Sequence, residues 1–158
     1  MKGSARKGFS FGLTSGIVTT LGMIVGLNAW TGSKLVVIGG ILSIAIADSF
    51  SDALGIHVSE ESRPGLDPKK VWISTFSTLL WKFVFSLTFI VPILLFNYPW
   101  SILVSIIWGL FALALFSYSI AKNRKDNAFY VIMEHLVIAI VVIVITHLVG
   151  RWLSLSFV

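Results

Sequence analysis

Five apolar runs, each long enough to cross a bilayer, take up most of this chain. A spanning helix needs about 20 predominantly apolar residues. The runs lie at residues 9–30, 34–57, 71–96, 99–121 and 129–153. In hydrocarbon a backbone N–H or C=O finds no water, so each run must satisfy its own hydrogen bonds as a helix. The joints TGS, SEESRPGLDPKK, NYP and KNRKDN are polar and rich in turn formers. No joint separates a second domain, and residues 1–158 are expected to form one transmembrane domain. Only 12% of the residues are charged and 56% are hydrophobic, with mean hydropathy +0.94. Soluble domains carry roughly 25% charged residues. A soluble chain this short has no core large enough to hide so much apolar surface.

The basic residues supply an orientation. Lys2, Arg6 and Lys7 precede the first run; Arg63, Lys69 and Lys70 follow the second; Lys122, Arg124 and Lys125 follow the fourth. Those nine share one side, and only Lys34 and Arg151 lie on the other. The positive-inside rule then predicts an all-α integral membrane protein with the N-terminus inside and the C-terminus outside. The basic start and apolar first run resemble a signal peptide only in part. No small-residue cleavage site clearly follows, and more spans come after it, so the run reads as a retained helix. Trp30, Tyr98, Trp100 and Trp152 fall on the outer side as an interfacial belt. The net charge of +5 is spread between apolar runs, not gathered into a patch for nucleic acid. There is no cysteine, which excludes disulfides, zinc–thiolate sites and thiol chemistry. Phosphate-binding glycine loops, HExxH and serine elbows are missing too, so no enzyme and no resident cofactor are expected.

Ionisable residues inside the runs carry the functional signal. Asp48 and Asp52 are four apart and share a helix face. A carboxylate at the bilayer centre costs roughly 2.5–3.5 kcal/mol on insertion scales, and two like charges one turn apart repel. A cation between them would relieve both costs, and hard oxygen ligands suit a divalent metal or a proton. His57 and Glu61, also four apart, could share a metal at the inner mouth; for both, and more so for Glu60, the alternative is a solvated helix end. Lys82 interrupts the third run, and Glu134 with His135 opens the fifth. Lys82 is expected to pair with Asp48, Asp52 or Glu134, while Glu134 reads equally as an interfacial anchor or a proton site. One lysine is not expected to satisfy all three acids, which favours a transport role for the aspartates. His147 reads as a satisfied polar residue among helices.

The first run is rich in small residues. Gly12, Gly16, Gly22 and Gly26, with Ser15 and Thr19, make small-x-x-x-small patterns on one side. They predict either tight packing within the chain or a homodimer seam.

Several stretches together resemble the vacuolar iron transporter family. GFSFGLTSGIVTTLGMIVGL is similar to its first helix, and IGGILSIAIADSFSDALGIHVSEES to its second. WISTFSTLLWKFVFSLTFIVPILL, with Pro92, resembles its third helix and late proline, and ITHLVGRWL its terminal threonine-tyrosine-leucine-isoleucine-glycine-arginine signature. The likeness covers nearly the whole chain in order. It implies a proton-coupled exporter of Fe²⁺ or Mn²⁺ from the cytosol, a homodimer joined at the first helix, and a cell membrane or vacuole-like location. The family's first-helix aspartate falls on Ser15, and its second-helix methionine falls near Asp52. Its glutamate-rich cytoplasmic domain is reduced to SEESRPGLDPKK, which leaves His57, Glu60 and Glu61 to collect metal. The resemblance therefore implies metal ligands at Asp48, Asp52, His57 and Glu61, with Ser15, Thr19 and Met23 lining the path. The competing expectation is a non-transporting membrane scaffold or partner subunit, in which the aspartates are buried against Lys82.

Overall fold

The structure, a computed structural model, describes residues 2–157 and is helical apart from its joints. The elements are α1 (Lys2–Thr31), α2 (Lys34–Ser43), a π-helical turn (Ile44–Asp48), α3 (Ser49–Glu61), α4 (Pro68–Thr88), α5 (Ile90–Leu95), α6 (Trp100–Arg124) and α7 (Ala128–Phe157). They compose five helices long and apolar enough to cross a membrane: Gly3–Thr31, Lys34–Glu61, Pro68–Leu95, Trp100–Arg124 and Ala128–Phe157. The second span is α2, the π turn and α3 end to end; the third is α4 and α5. Each helix outruns its apolar run by several residues at one end: at the start of the first and third, and at the end of the second, fourth and fifth. The polar flanks can stay helical at no cost in backbone hydrogen bonds, so hydropathy understates helix length.

Local chemistry fixes the ends. Asp67 caps α4, accepting from the Lys69 N–H at 2.9 Å, and Pro68 takes the first turn, where its missing N–H costs nothing. Lys125 stands in the left-handed region at φ 60° and closes α6, with the Asp126 N–H on the Ala121 carbonyl. The third span breaks at Phe89, three residues before Pro92. Proline has no N–H to give the Thr88 carbonyl and its ring collides with it, which ends α4 there.

α1 is the central helix and packs chiefly on α4 and α7, with α2 and α6 beside it. Glycine sets the closeness. A Cβ on Gly12 would stand 2.6 Å from the Thr78 carbonyl oxygen, and one on Gly16 3.1 Å from that of Lys82. At the other end Gly26 and Gly150 bring α1 and α7 backbone to backbone, a Gly150 Cβ falling 2.3 Å from the Gly26 carbonyl oxygen. The glycine face expected as a dimer seam is therefore occupied within the subunit, by α4 below and α7 above. A second copy must use another surface. Leu13, Ile17, Leu21, Ile24, Val37, Ile41, Phe89, Ile93 and Leu113 form the single apolar core around α1.

Candidate functional site

Four residues apart along α4, Ser74, Thr78, Lys82 and Ser86 form a fully buried polar stripe against α1. Ser74, Thr78 and other hydroxyls return their protons to the carbonyl four residues back, which satisfies them inside the bundle. Thr20 instead donates across the interface to the Ser86 hydroxyl at 3.1 Å. Lys82 has no such local partner. It lies fourteen residues from Pro68 and thirteen from Leu95, the middle of its span, and none of its surface is exposed.

Its ammonium is met by the second span. Lys82 Nζ donates to Asp52 Oδ2 at 2.5 Å and to Ser15 Oγ at 2.9 Å. Ser15 Oγ donates in turn to Asp52 Oδ2 at 2.6 Å. Asp48 Oδ2 also lies 2.5 Å from Nζ but makes no hydrogen bond there, so that contact is an ion pair alone. Gly16 makes this possible: the lysine stem crosses α1 where a side chain would stand, 3.5 Å from Cγ. Asp48 is fourteen residues from Lys34 and thirteen from Glu61, so the cluster sits at mid-span on both helices. The π turn ends on Asp48; such turns insert one extra residue and recur at functional sites.

One lysine thus reaches both aspartates but not the third acid, Glu134. It does not neutralise them. The cluster holds two carboxylates and one ammonium, a formal charge of −1, and the aspartate side chains stay 33% and 22% exposed while Lys82 is sealed. Glu134 takes no part: it is exposed on α7 and forms no ion pair among the described residues. No family model, curated protein or solved structure matches this chain.

The expected metal set divides. Asp48 and Asp52 meet at Lys82, whereas His57 and Glu61 lie further along α3 and do not join them. His57 Nδ1 bonds the Thr75 hydroxyl at 3.0 Å, its ring meets Trp72 edge-on at 4.6 Å, and its Nε2 is 3.9 Å from a largely exposed Glu61. Among the described residues no three His, Asp or Glu converge as a metal cage. Glu60 is not a solvated helix end: it is buried, ion-paired to Lys7 of α1 and, at 3.4 Å, to Arg63. That cluster ties α3 to α1 at the basic end. His147 is exposed on α7 and is not held among helices.

Ser15, Thr19 and Met23, expected to line a path, border open space along α1. The second span and α7 flank α1 without packing on each other. A groove along α1 and α7 has three segments of about 340, 290 and 540 Å³; the second span borders the first and third through Ile56 and Ile44, and Asp48, Asp52 and Lys82 do not line it. Lys7, Ser10 and Thr14 line the first, Thr14, Ser15 and Thr19 the second, and Thr19, Met23 and Trp30 the third. It follows α1 from its basic end to its aromatic end, and at its middle Ser15 is bonded to Asp52.

Two features escaped sequence reasoning. His135 lines the first two segments of the groove. Gly39, Ser43, Ala47, Ser51, Gly55 and Ser59, spaced by four, form an exposed small-residue face along the second span, and a Cβ on Gly39 or Gly55 would meet nothing within 4 Å. The spacing alone could have revealed that face.

Proposed function

We propose that this protein moves a divalent transition metal such as Fe²⁺ or Mn²⁺ across a membrane in exchange for protons, exporting it from the cytoplasm. The carrying observation is the mid-span cluster in which two carboxylates share one ammonium, linked through Ser15 to the groove along α1. A structural ion pair in lipid is best made neutral and closed. This one is neither. The ammonium occupies the position between carboxylate oxygens that a cation would take. A dication and an ammonium cannot share it, so entry of one requires the other to move or give up its charge, which is the exchange an antiporter needs. The resemblance to vacuolar iron transporters points the same way, and the basic-residue bias favours an N-terminus in the cytoplasm, which sets the proposed direction.

In this reading the transporter is a homodimer. The groove is open along one side, and the small face of the second span lies one residue position from Ile44 and Ile56, which line the groove. Small faces let parallel helices approach closely, and a two-fold axis sets such a face against its own copy. Two grooves facing each other would close into a path.

The complete burial of Lys82 favours a second reading, a non-transporting scaffold whose aspartates only hold α4 to α3. Flux of Mn²⁺, Fe²⁺, Co²⁺ and Zn²⁺ into proteoliposomes separates the two. Asp52→Asn should abolish flux while leaving the fold intact, because Asp48 and Lys82 remain as a neutral pair. Transport should also weaken at low pH on the cytoplasmic side, since protonated carboxylates bind metal poorly. Full flux through Asp52→Asn refutes the transport reading; lost stability in that variant, rescued by Lys82→Met, establishes the scaffold.

A further inference from the structure

Carboxylates and hydroxyls are hard ligands that hold Mg²⁺ and Ca²⁺ as readily as Mn²⁺ or Fe²⁺. Asp48, Asp52, Ser15 and Thr14 alone would therefore leave a metal path open to the commoner ions. An imidazole nitrogen is the ligand type that separates transition metals from them, and His135 is the imidazole in the groove.

Its protonation pattern can be read from its neighbour. Ser117, buried on α6, stands 2.7 Å from His135 Nδ1 and also donates to the Leu113 carbonyl oxygen at 2.7 Å. A hydroxyl has one proton. Both contacts are made together when Ser117 gives that proton to Leu113 and accepts from His135, an arrangement that puts the ring hydrogen on Nδ1. Nε2 then keeps its lone pair. No hydrogen bond engages Nε2 among the described residues, and the ring borders the groove opposite Thr14 and Ser15. An outer partner that fixes the tautomer and orientation of a histidine is the arrangement metal-ligating imidazoles use.

Building on the transport reading above, we infer that His135 Nε2 is a transition-metal ligand on the basic-end half of the groove. Ser117 is its positioning residue, and the pair makes the path select transition metals over Mg²⁺ and Ca²⁺. His135 stops the ion between the mouth at Lys7 and Ser10 and Ser15, whose hydroxyl is bonded to Asp52. His57, tied through Nδ1 to Thr75 and set against Trp72, does not line this groove.

The test uses the full-length protein and Mn²⁺ as probe. Electron spin-echo spectra of the Mn²⁺-loaded protein should show ¹⁴N coupling from a bound imidazole. His135→Gln should remove it, while His57→Gln and His147→Gln keep it. Nitrogen NMR of the metal-free protein should find His135 protonated at Nδ1, and Ser117→Ala should release that preference. In proteoliposomes His135→Gln should reduce Mn²⁺ over Mg²⁺ discrimination by roughly tenfold, in line with the effect of disturbing one metal ligand's support. Coupling that is absent, that survives His135→Gln, or that is lost with His57→Gln overturns the assignment, as does a Nε2-protonated tautomer. The two readings fail separately. Flux without ¹⁴N coupling leaves transport standing and removes His135, whereas coupling lost in His135→Gln without any flux keeps the site and removes transport.

Discussion

Replacing Lys82 by methionine keeps most of the length of the side chain and removes its charge. The structure gives three consequences. Asp52 Oδ2 loses a 2.5 Å partner, Asp48 Oδ2 loses its 2.5 Å ion pair, and Ser15 Oγ loses a donor at 2.9 Å. Breaking a buried pair by removing one member costs about 3–5 kcal/mol, because the remaining charge stays desolvated. Lys82 is wholly buried, so water does not screen its side of the pair; the 22% and 33% exposure of the aspartates opens onto the outside of the bundle. The loss therefore belongs within that range, and the two aspartates do not double it, since they share one ammonium. For a chain of this size about 2–4 °C accompanies each kcal/mol, so the apparent melting temperature should fall by roughly 6–20 °C. Thermal unfolding in one mild detergent, followed by tryptophan fluorescence and by size-exclusion recovery, measures it. Adding Asp48→Asn and Asp52→Asn to Lys82→Met removes the stranded charges and should restore most of the loss. A drop of under 1 kcal/mol for Lys82→Met, or a triple variant no better than the single one, refutes the reasoning.

Two further expectations follow from packing and charge. Gly12→Leu drives a side chain into the Thr78 carbonyl and should destabilise the monomer by several kcal/mol, as overpacking does when backbone is the obstacle. Gly39→Leu and Gly55→Leu meet open space and should leave monomer stability unchanged while weakening self-association in a cross-linking or light-scattering assay; equal effects at Gly12 and Gly39 would contradict the packing described here. Cysteines placed at Ser4 and Ser156 should label from opposite sides of a cell membrane, Ser156 from outside, and labelling of Ser4 from outside would overturn the orientation.

The spans were legible because lipid-sized apolar runs leave the backbone one solution, and the pairing of Lys82 with an aspartate was legible because an isolated charge in such a run needs one. The partition of the glycines was not. Gly12, Gly16, Gly22 and Gly26 look alike in sequence as an inward face or an outward one, and only the positions of α4 and α7 decide between them. Ser15 and Asp52 are 37 residues apart, so nothing local announces their hydrogen bond. The burial of Glu60 depended likewise on Lys7, on a different helix. By contrast the four-residue spacing of Ser74, Thr78, Lys82 and Ser86 is a local pattern that could have marked the polar face of the third span, where only Lys82 was singled out.

The π turn at Ile44–Asp48 gives the second span two helical phases. A residue advances an α-helix by about 100°, so one surplus residue sets everything beyond it at a new azimuth relative to the part before. Ile41 and Gly40 on one side of the turn, and Asp52 and Ala53 on the other, each face the bundle only because that phase change lies between them. The span thus behaves as two keys cut on one shaft. Substitutions in the turn alter single teeth. Loss or gain of one residue there rotates the whole inner half, swings Asp52 off Lys82 and Ser15, and carries the exposed small face with it, while the hydropathy of the span hardly changes. Length in this five-residue segment is accordingly a tighter constraint on the site than the identity of most residues around it.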